Sequence, residues 1–209
     1  MVMAEATNHY FKHLGVSDGL SQVCIPSIYQ DELGAVWLGT TEGLNRYNGK
    51  DVKVFQPSES NHGLTNNEIN ELCGDKNGRM YIRSGNDLIK LDIYTEQFTC
   101  LRQKGVYGLF CKKDTLWVSC ADGIYYYTGQ GTELTFFARV QKGFVGRALY
   151  VDKETVWVVT RKYLVAISRE DPLRQEILLT LDKGNCILGD SSGNIWVGAW
   201  NGLYRISPN

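Results

Sequence analysis

Two groups of residues in this 209-residue sequence have types and spacings that suggest chemistry. The first is a set of aspartates in D-x-x-G turns: Asp31 with Gly34, Asp75 with Gly78, and Asp190 with Gly193. A calcium loop needs closely spaced oxygen ligands of the D-x-D-x-D-G kind, and each of these turns offers only one or two. Their expected work is therefore turn capping: Asp accepts backbone hydrogen bonds and Gly supplies positive φ. The second group centres on Trp200 and Asn201, an aromatic and an amide in a predicted turn where no packing duty accounts for a large ring. An aromatic face stacks on a sugar ring. Glu42, Asn86, Asp122 and Arg161 fall in the corresponding turns elsewhere in the chain, and with Asn201 they supply directional hydrogen-bonding groups.

Catalytic constellations are sparse. The histidines are His9, His13 and His62, and only His62 falls in a loop where a nucleophile–base pair could assemble. No glycine-rich phosphate loop follows a strand and opens a helix. The six cysteines form no C-x-x-C pair and have no histidine at zinc-site spacing, so no metal and no cofactor is expected. All six fall in predicted strands, where thiols serve as small hydrophobes. Their even number leaves room for a disulfide without specifying a connectivity.

The elements that must position these groups come from an internal repeat. Five segments align without gaps: 31–47, 75–91, 111–127, 151–167 and 190–206. Each has an aromatic anchor (Trp37, Tyr81, Trp117, Trp157 and Trp196), at spacings of 44, 36, 40 and 39 residues. Seven residues after each anchor stands an aliphatic: Leu44, Leu88, Ile124, Leu164 and Leu203. Period-2 alternation around these positions predicts strands. Four-stranded units recurring about every 40 residues predict β-propeller blades, because one such sheet cannot bury both faces alone while stacked sheets can. The expected class is all-β, a single propeller domain with blades at 23–56, 69–102, 106–139, 146–181 and 185–206. Anchors that recur in phase are expected between blades, as core.

The fifth blade shows three strands. Residues 9–14 are strand-like and could supply its outer strand, closing a five-bladed ring; the rival is an open arc of a larger ring. An arc exposes two blade faces and is expected to form a homodimer or aggregate.

With 22 basic and 23 acidic residues the formal net charge is −1, so no nucleic acid partner and no direct membrane contact are expected. The first ten residues do not read as a secretory signal, and as written the chain would stay in the cytoplasm unless a leader has been removed.

The run from Tyr10 to Phe55 resembles the start of the sensor region of hybrid two-component regulators, which is built from two-component regulator propeller repeats. The likeness rests on Gly19-Leu20-Ser21, the D-x-x-G turn, Trp37-Leu38-Gly39-Thr40 and Gly43-Leu44-Asn45-Arg46-Tyr47. It extends to Gly63-Leu64-Thr65-Asn66-Asn67, Trp196-Val197-Gly198 and Gly202-Leu203-Tyr204-Arg205. The third and fourth repeats are weaker, with Cys111 and Val151 at the turn-Asp position. The resemblance implies a periplasmic, non-catalytic module that senses an oligosaccharide, and an N-terminal piece of a receptor whose remaining blades and kinase lie elsewhere. The alternatives are a protein–protein scaffold and, remotely, a propeller lyase or hydrolase.

Overall fold

The structure is a computed structural model and describes residues 11–57, 63–140 and 145–207. Five antiparallel sheets follow one another along the chain. The first joins β1 (Ser27–Gln30), β2 (Val36–Thr40), β3 (Gly43–Tyr47) and β4 (Val52–Phe55). The second joins β5 (Ile69–Gly74), β6 (Arg79–Ser84), β7 (Asp87–Asp92) and β8 (Gln97–Arg102). The third joins β9 (Val106–Lys112), β10 (Thr115–Cys120), β11 (Gly123–Tyr127) and β12 (Thr135–Ala138). The fourth joins β13 (Gly146–Val151), β14 (Thr155–Thr160), β15 (Tyr163–Ser168) and β16 (Gln175–Thr180). The fifth has three strands, β17 (Cys186–Gly189), β18 (Ile195–Ala199) and β19 (Gly202–Ile206). Strand order within each sheet is sequential, and the first strands of successive sheets lie beside one another, as in a propeller.

The D-x-x-G turns do the capping expected of them, and more. Asp31 accepts the backbone N–H groups of Leu33 and Ala35, while Gly34 takes a φ of 86°. Its second carboxylate oxygen accepts the Trp37 indole N–H at 2.7 Å. Asp190 holds Trp196 in the same way at 2.8 Å. The turn therefore orients the anchor of the strand that follows it. In the fourth sheet the gapless alignment puts Val151 at this position, yet Asp152 does the work, accepting the Trp157 indole at 2.7 Å from a hairpin one residue tighter. In the second sheet Tyr81 has no indole, and Asp75 pairs with Arg79 instead.

One hydrophobic core fills each junction between neighbouring sheets. Trp37, Leu44 and Phe55 pack on Ile69, Leu72 and Ile82; Tyr81 and Leu88 pack on Val106, Leu109 and Val118. Trp117 and Ile124 meet Leu149, Val156 and Val158, and Val159 and Leu164 meet Ile195 and Val197. Registration explains the faces: Leu44, Leu88, Ile124 and Leu164 point at the following sheet and are fully buried. Leu203 holds that register on the fifth sheet and is 68% exposed; Leu188 beside it is also exposed. On the first sheet Ile28, which takes the place of buried Leu72, Leu109 and Leu149, is 63% exposed. The described residues thus form an open arc with one uncovered face at each end. Of the anchors expected as core, Trp157 and Trp196 are only half-buried, unlike Trp37.

Among the described residues no strand lies beside β19 on its outer edge. Of the expected closing segment, His9 and Tyr10 lie outside the described residues and residues 11–14 form no strand; among the described residues β19 pairs with β18 alone. Lys12 reaches the hydroxyl of Tyr47 in the first sheet at 3.0 Å. The lead-in at Gly19-Leu20-Ser21 instead covers part of the front of the first sheet. Leu20 is buried, the Ser21 N–H donates to Asn45 Oδ1, and the Ser21 hydroxyl bonds with that of Thr40. The corresponding segment before the second sheet buries Leu64 and pairs Asn66 with Ser84.

Candidate ligand face of the propeller

The turns that join the second and third strands of the five sheets carry all six candidate residues: Glu42, Asn86, Asp122, Arg161, Trp200 and Asn201. Each is exposed. The turns are two residues long, and Gly43, Gly123 and Gly202 leave them at positive φ.

Arg161 and Trp200 are brought together by the linker between the fourth and fifth sheets. Leu181 N–H donates to the Lys162 carbonyl, and Gly184 N–H donates to that of Arg161 at 3.1 Å. Trp200 N–H donates to the Asp182 carbonyl at 2.9 Å, and Asn185 N–H to Gly198. The linker is thus sewn to both turns through the main chain. Its close approach requires glycine at 184, where a Cβ would lie 2.5 Å from the Thr160 carbonyl oxygen. The Trp200 ring, 76% exposed, has the Lys183 Nζ 3.8 Å from its centroid. A cation on one face leaves the other open for stacking. Asn201 donates from its amide to the Tyr204 hydroxyl at 2.7 Å, which steadies the turn. Lys162, with its ammonium 5.5 Å from the Tyr163 ring centroid, adds a second cation near Arg161.

The other candidates stay on separate turns. Asp122 is engaged within its own sheet, paired with Arg102 and accepting the Tyr125 hydroxyl, each at 2.8 Å. Desolvation works to raise its pKa, but these hydrogen bonds outweigh it and hold the carboxyl below its usual range. The Glu42 carbonyl accepts from Gln56, and that of Asn86 accepts from Val106. Sequence reasoning missed Lys183 and Asp182. Only the hydrogen bonds linking two distant turns reveal them, because the linker shows no repeat signature. His62 lies outside the described residues.

Two grooves lie toward the opposite ends of the blades. One runs between the third and fourth sheets and is lined by Trp117, Tyr126, Phe137, Lys153 and Arg169. The other lies between the fourth and fifth sheets and is lined by Trp157, Leu178, Ile195 and Ile206. Among the described residues no group of three His, Cys, Asp or Glu side chains is arranged to hold a metal ion, and no helix is long and apolar enough to cross a membrane.

Comparison with known proteins gives this geometry a family context. Residues 19–42 match the family model described as the two component regulator propeller. Over 53 residues the chain is 40% identical to a protein named Histidine kinase P4 from Formosa agariphila, a stretch covering 25% of this chain and 4% of that protein. Among solved structures, one similar fold is an extracellular domain assigned to the hybrid two component system BT3049 of B. thetaiotaomicron. It has a TM-score of 0.82 and 23% identity, over 95% of this chain and 30% of that one. Another is assigned to the hybrid two component system BT4673 of the same organism, with a TM-score of 0.73 and 22% identity over 91% of this chain and 27% of that one. The chain therefore spans less than a third of the length of these relatives. The segment matched by the family model is the lead-in, first strand, D-x-x-G turn and Trp37 strand of the first sheet, the parts whose packing is described above. In residues 19–42 the chain is similar to the two component regulator propeller, and its fold is that of a β-propeller.

Proposed function

We propose that this chain is the extracytoplasmic ligand-sensing propeller part of a hybrid two-component receptor, located in the periplasm, and that its ligand is an oligosaccharide. The observation that carries the reading is Trp200: an exposed indole at the tip of a two-residue turn whose main chain is bonded to the linker, with Lys183 on one ring face. Bonding of the turn matters because stacking affinity is lost if the site must first be ordered. Lys183 lies on one face of the ring, and the linker joins its turn to the turn that carries Arg161 and Lys162, so sugars bearing carboxylates fit better than neutral ones. The match to the two-component regulator propeller and the likeness to extracellular receptor domains support the sensing role. Signal output would come from segments outside the arc, and the module itself does no chemistry.

A second reading has its own observation. The exposed Leu188 and Leu203 on the rear of the fifth sheet, with an edge of β19 that no described strand pairs, fit a protein neighbour. Further blades of a receptor or a second copy of the chain would serve.

A thermal-shift screen against neutral and uronic-acid oligosaccharides separates the two readings. Sugar sensing predicts a concentration-dependent rise in melting midpoint with acidic sugars, since binding to the folded state alone stabilises it. Trp200→Ala should remove the rise and leave the ligand-free midpoint within about 1 °C, as expected for an exposed side chain. A shift that survives Trp200→Ala would refute this site, and no shift with any sugar would favour the protein-contact reading.

A further inference from the structure

The first strands of neighbouring sheets meet through a repeated pair of positions. One is the residue opposite the aromatic anchor: Tyr29, Cys73, Phe110, Tyr150 and Leu188. The other is the residue after it in the following sheet, which is Gly74, Cys111, Val151 and Gly189 at the four junctions. At the first junction Tyr29 lies so close over Gly74 that a Cβ there would be 2.2 Å from the Tyr29 hydroxyl oxygen. At the fourth, Tyr150 lies over Gly189 with the same separation. The large side chain of one sheet is matched to the missing side chain of the next.

The second junction departs from this scheme. Where tyrosine and glycine would meet, Cys73 faces Cys111, and their sulfurs are 2.8 Å apart. Both cysteines are partly buried and neither is in a disulfide. A disulfide bond of about 2.05 Å is reached by closing the gap by less than about 1 Å. Two small sulfur side chains occupy the place that a tyrosine fills alone at the first and fourth junctions, so the contact is built into the stacking of the sheets.

We propose that Cys73 and Cys111 are a redox-active pair that forms a disulfide joining the second and third sheets. The oxidant is an external disulfide of the glutathione or thiol–disulfide oxidoreductase class. The Cys111 thiolate attacks it, forming a mixed disulfide and releasing one thiol. Cys73, as thiolate, then attacks the Cys111 sulfur and releases the second. Two protein thiols are oxidised, one external disulfide is reduced to two thiols, and the two protons leave with those thiols. Burial, followed by the hydrogen bond with Cys111, pushes the Cys73 thiol well up. The bond would close a loop between residues 38 apart in sequence and tie β5 covalently to β9.

The test uses the full purified chain. One sample is incubated natively with oxidised glutathione, and another is refolded from the reduced, denatured state in the same buffer. Free thiols are blocked without reduction and the chain is digested with trypsin. The expected product is the peptide 54–76 linked to the peptide 105–112, lost on treatment with dithiothreitol. The melting temperature should fall by about 10 °C on reduction, the shift a disulfide closing a loop of this length confers on a domain of this size. Cys73→Ser and Cys111→Ser should each abolish the link and the sensitivity to reductant, while Cys100→Ser keeps both. Blocking of all six thiols in both samples, or linkage of these two cysteines to other partners, would overturn the proposal.

Discussion

Leu164 and Leu203 occupy the same register on consecutive sheets, seven residues after the anchors Trp157 and Trp196, yet Leu164 is fully buried and Leu203 stands in solvent. The difference is the sheet that follows: Ile195 and Val197 cover Leu164, and no described residue does the same for Leu203. Equal places in the repeat therefore carry unequal energies. Leu164→Ala should destabilise the chain by about 3 kcal/mol, from lost transfer energy and the cavity left behind. Leu203→Ala should change stability by less than about 0.5 kcal/mol. Urea unfolding of both variants checks this, and equal losses would mean that the fifth sheet is covered in solution.

Asp31 should be among the most sensitive polar positions. Its buried carboxylate accepts two backbone N–H groups and the Trp37 indole. Asp31→Ala orphans these donors in the core, and a loss of about 3 kcal/mol follows. Asp31→Asn keeps an acceptor and should lose less. Denaturant midpoints of the two variants, measured side by side, give the comparison.

Asp190 makes the chain acid-sensitive in a defined window. The hydrogen bond from the Trp196 indole, with those from Asn194, lowers its pKa from the ordinary 3.8 to about 2. A carboxyl depressed on folding adds stability that is complete above the unfolded value, and that stability is lost as the pH falls through the folded one. The Asp190 contribution should thus be intact at pH 5 and disappear between about pH 4 and pH 2. Tryptophan fluorescence should report release of Trp196 in that range. Asp190→Asn should remove this component of the transition, and an unchanged titration would show that another group governs it.

The cysteines should differ sharply in reactivity. Burial raises the Cys120 thiol to about 12, the nearby Arg102 only partly opposing it, while Cys24 and Cys186 are exposed. At pH 8 a thiol reagent should label Cys24 and Cys186 within minutes and leave Cys120 unlabelled until the chain is unfolded. Peptide mapping after a brief pulse distinguishes the sites, and rapid labelling of Cys120 would show that the third sheet opens readily.

Much of the candidate face was legible at the level of single residues and little of it at the level of assembly. Trp200 stood out because it breaks the small, polar habit of its turn, and it is indeed exposed. Asp122 looked equally available, but Arg102 and Tyr125 engage it, and neither pairing has a signature in the repeat. Lys183 carries no motif and enters the site only because Gly184 lets the linker lie against the neighbouring turn.

What the sequence by itself determined is everything a sheet decides locally. Period-2 alternation, the D-x-x-G turns and the anchors seven residues ahead of an aliphatic specify five antiparallel sheets, because strand pairing across short hairpins and turn capping act between residues close in the chain. Tertiary structure alone decided what lies between sheets. It exposed Leu203 and Ile28, moved the capping role from position 151 to Asp152, joined Arg161 to Trp200 through a linker, and set Cys73 against Cys111. Those outcomes depend on which surface a neighbouring sheet presents at each point, and a repeat that looks the same in every sheet carries no record of whether a neighbour is there.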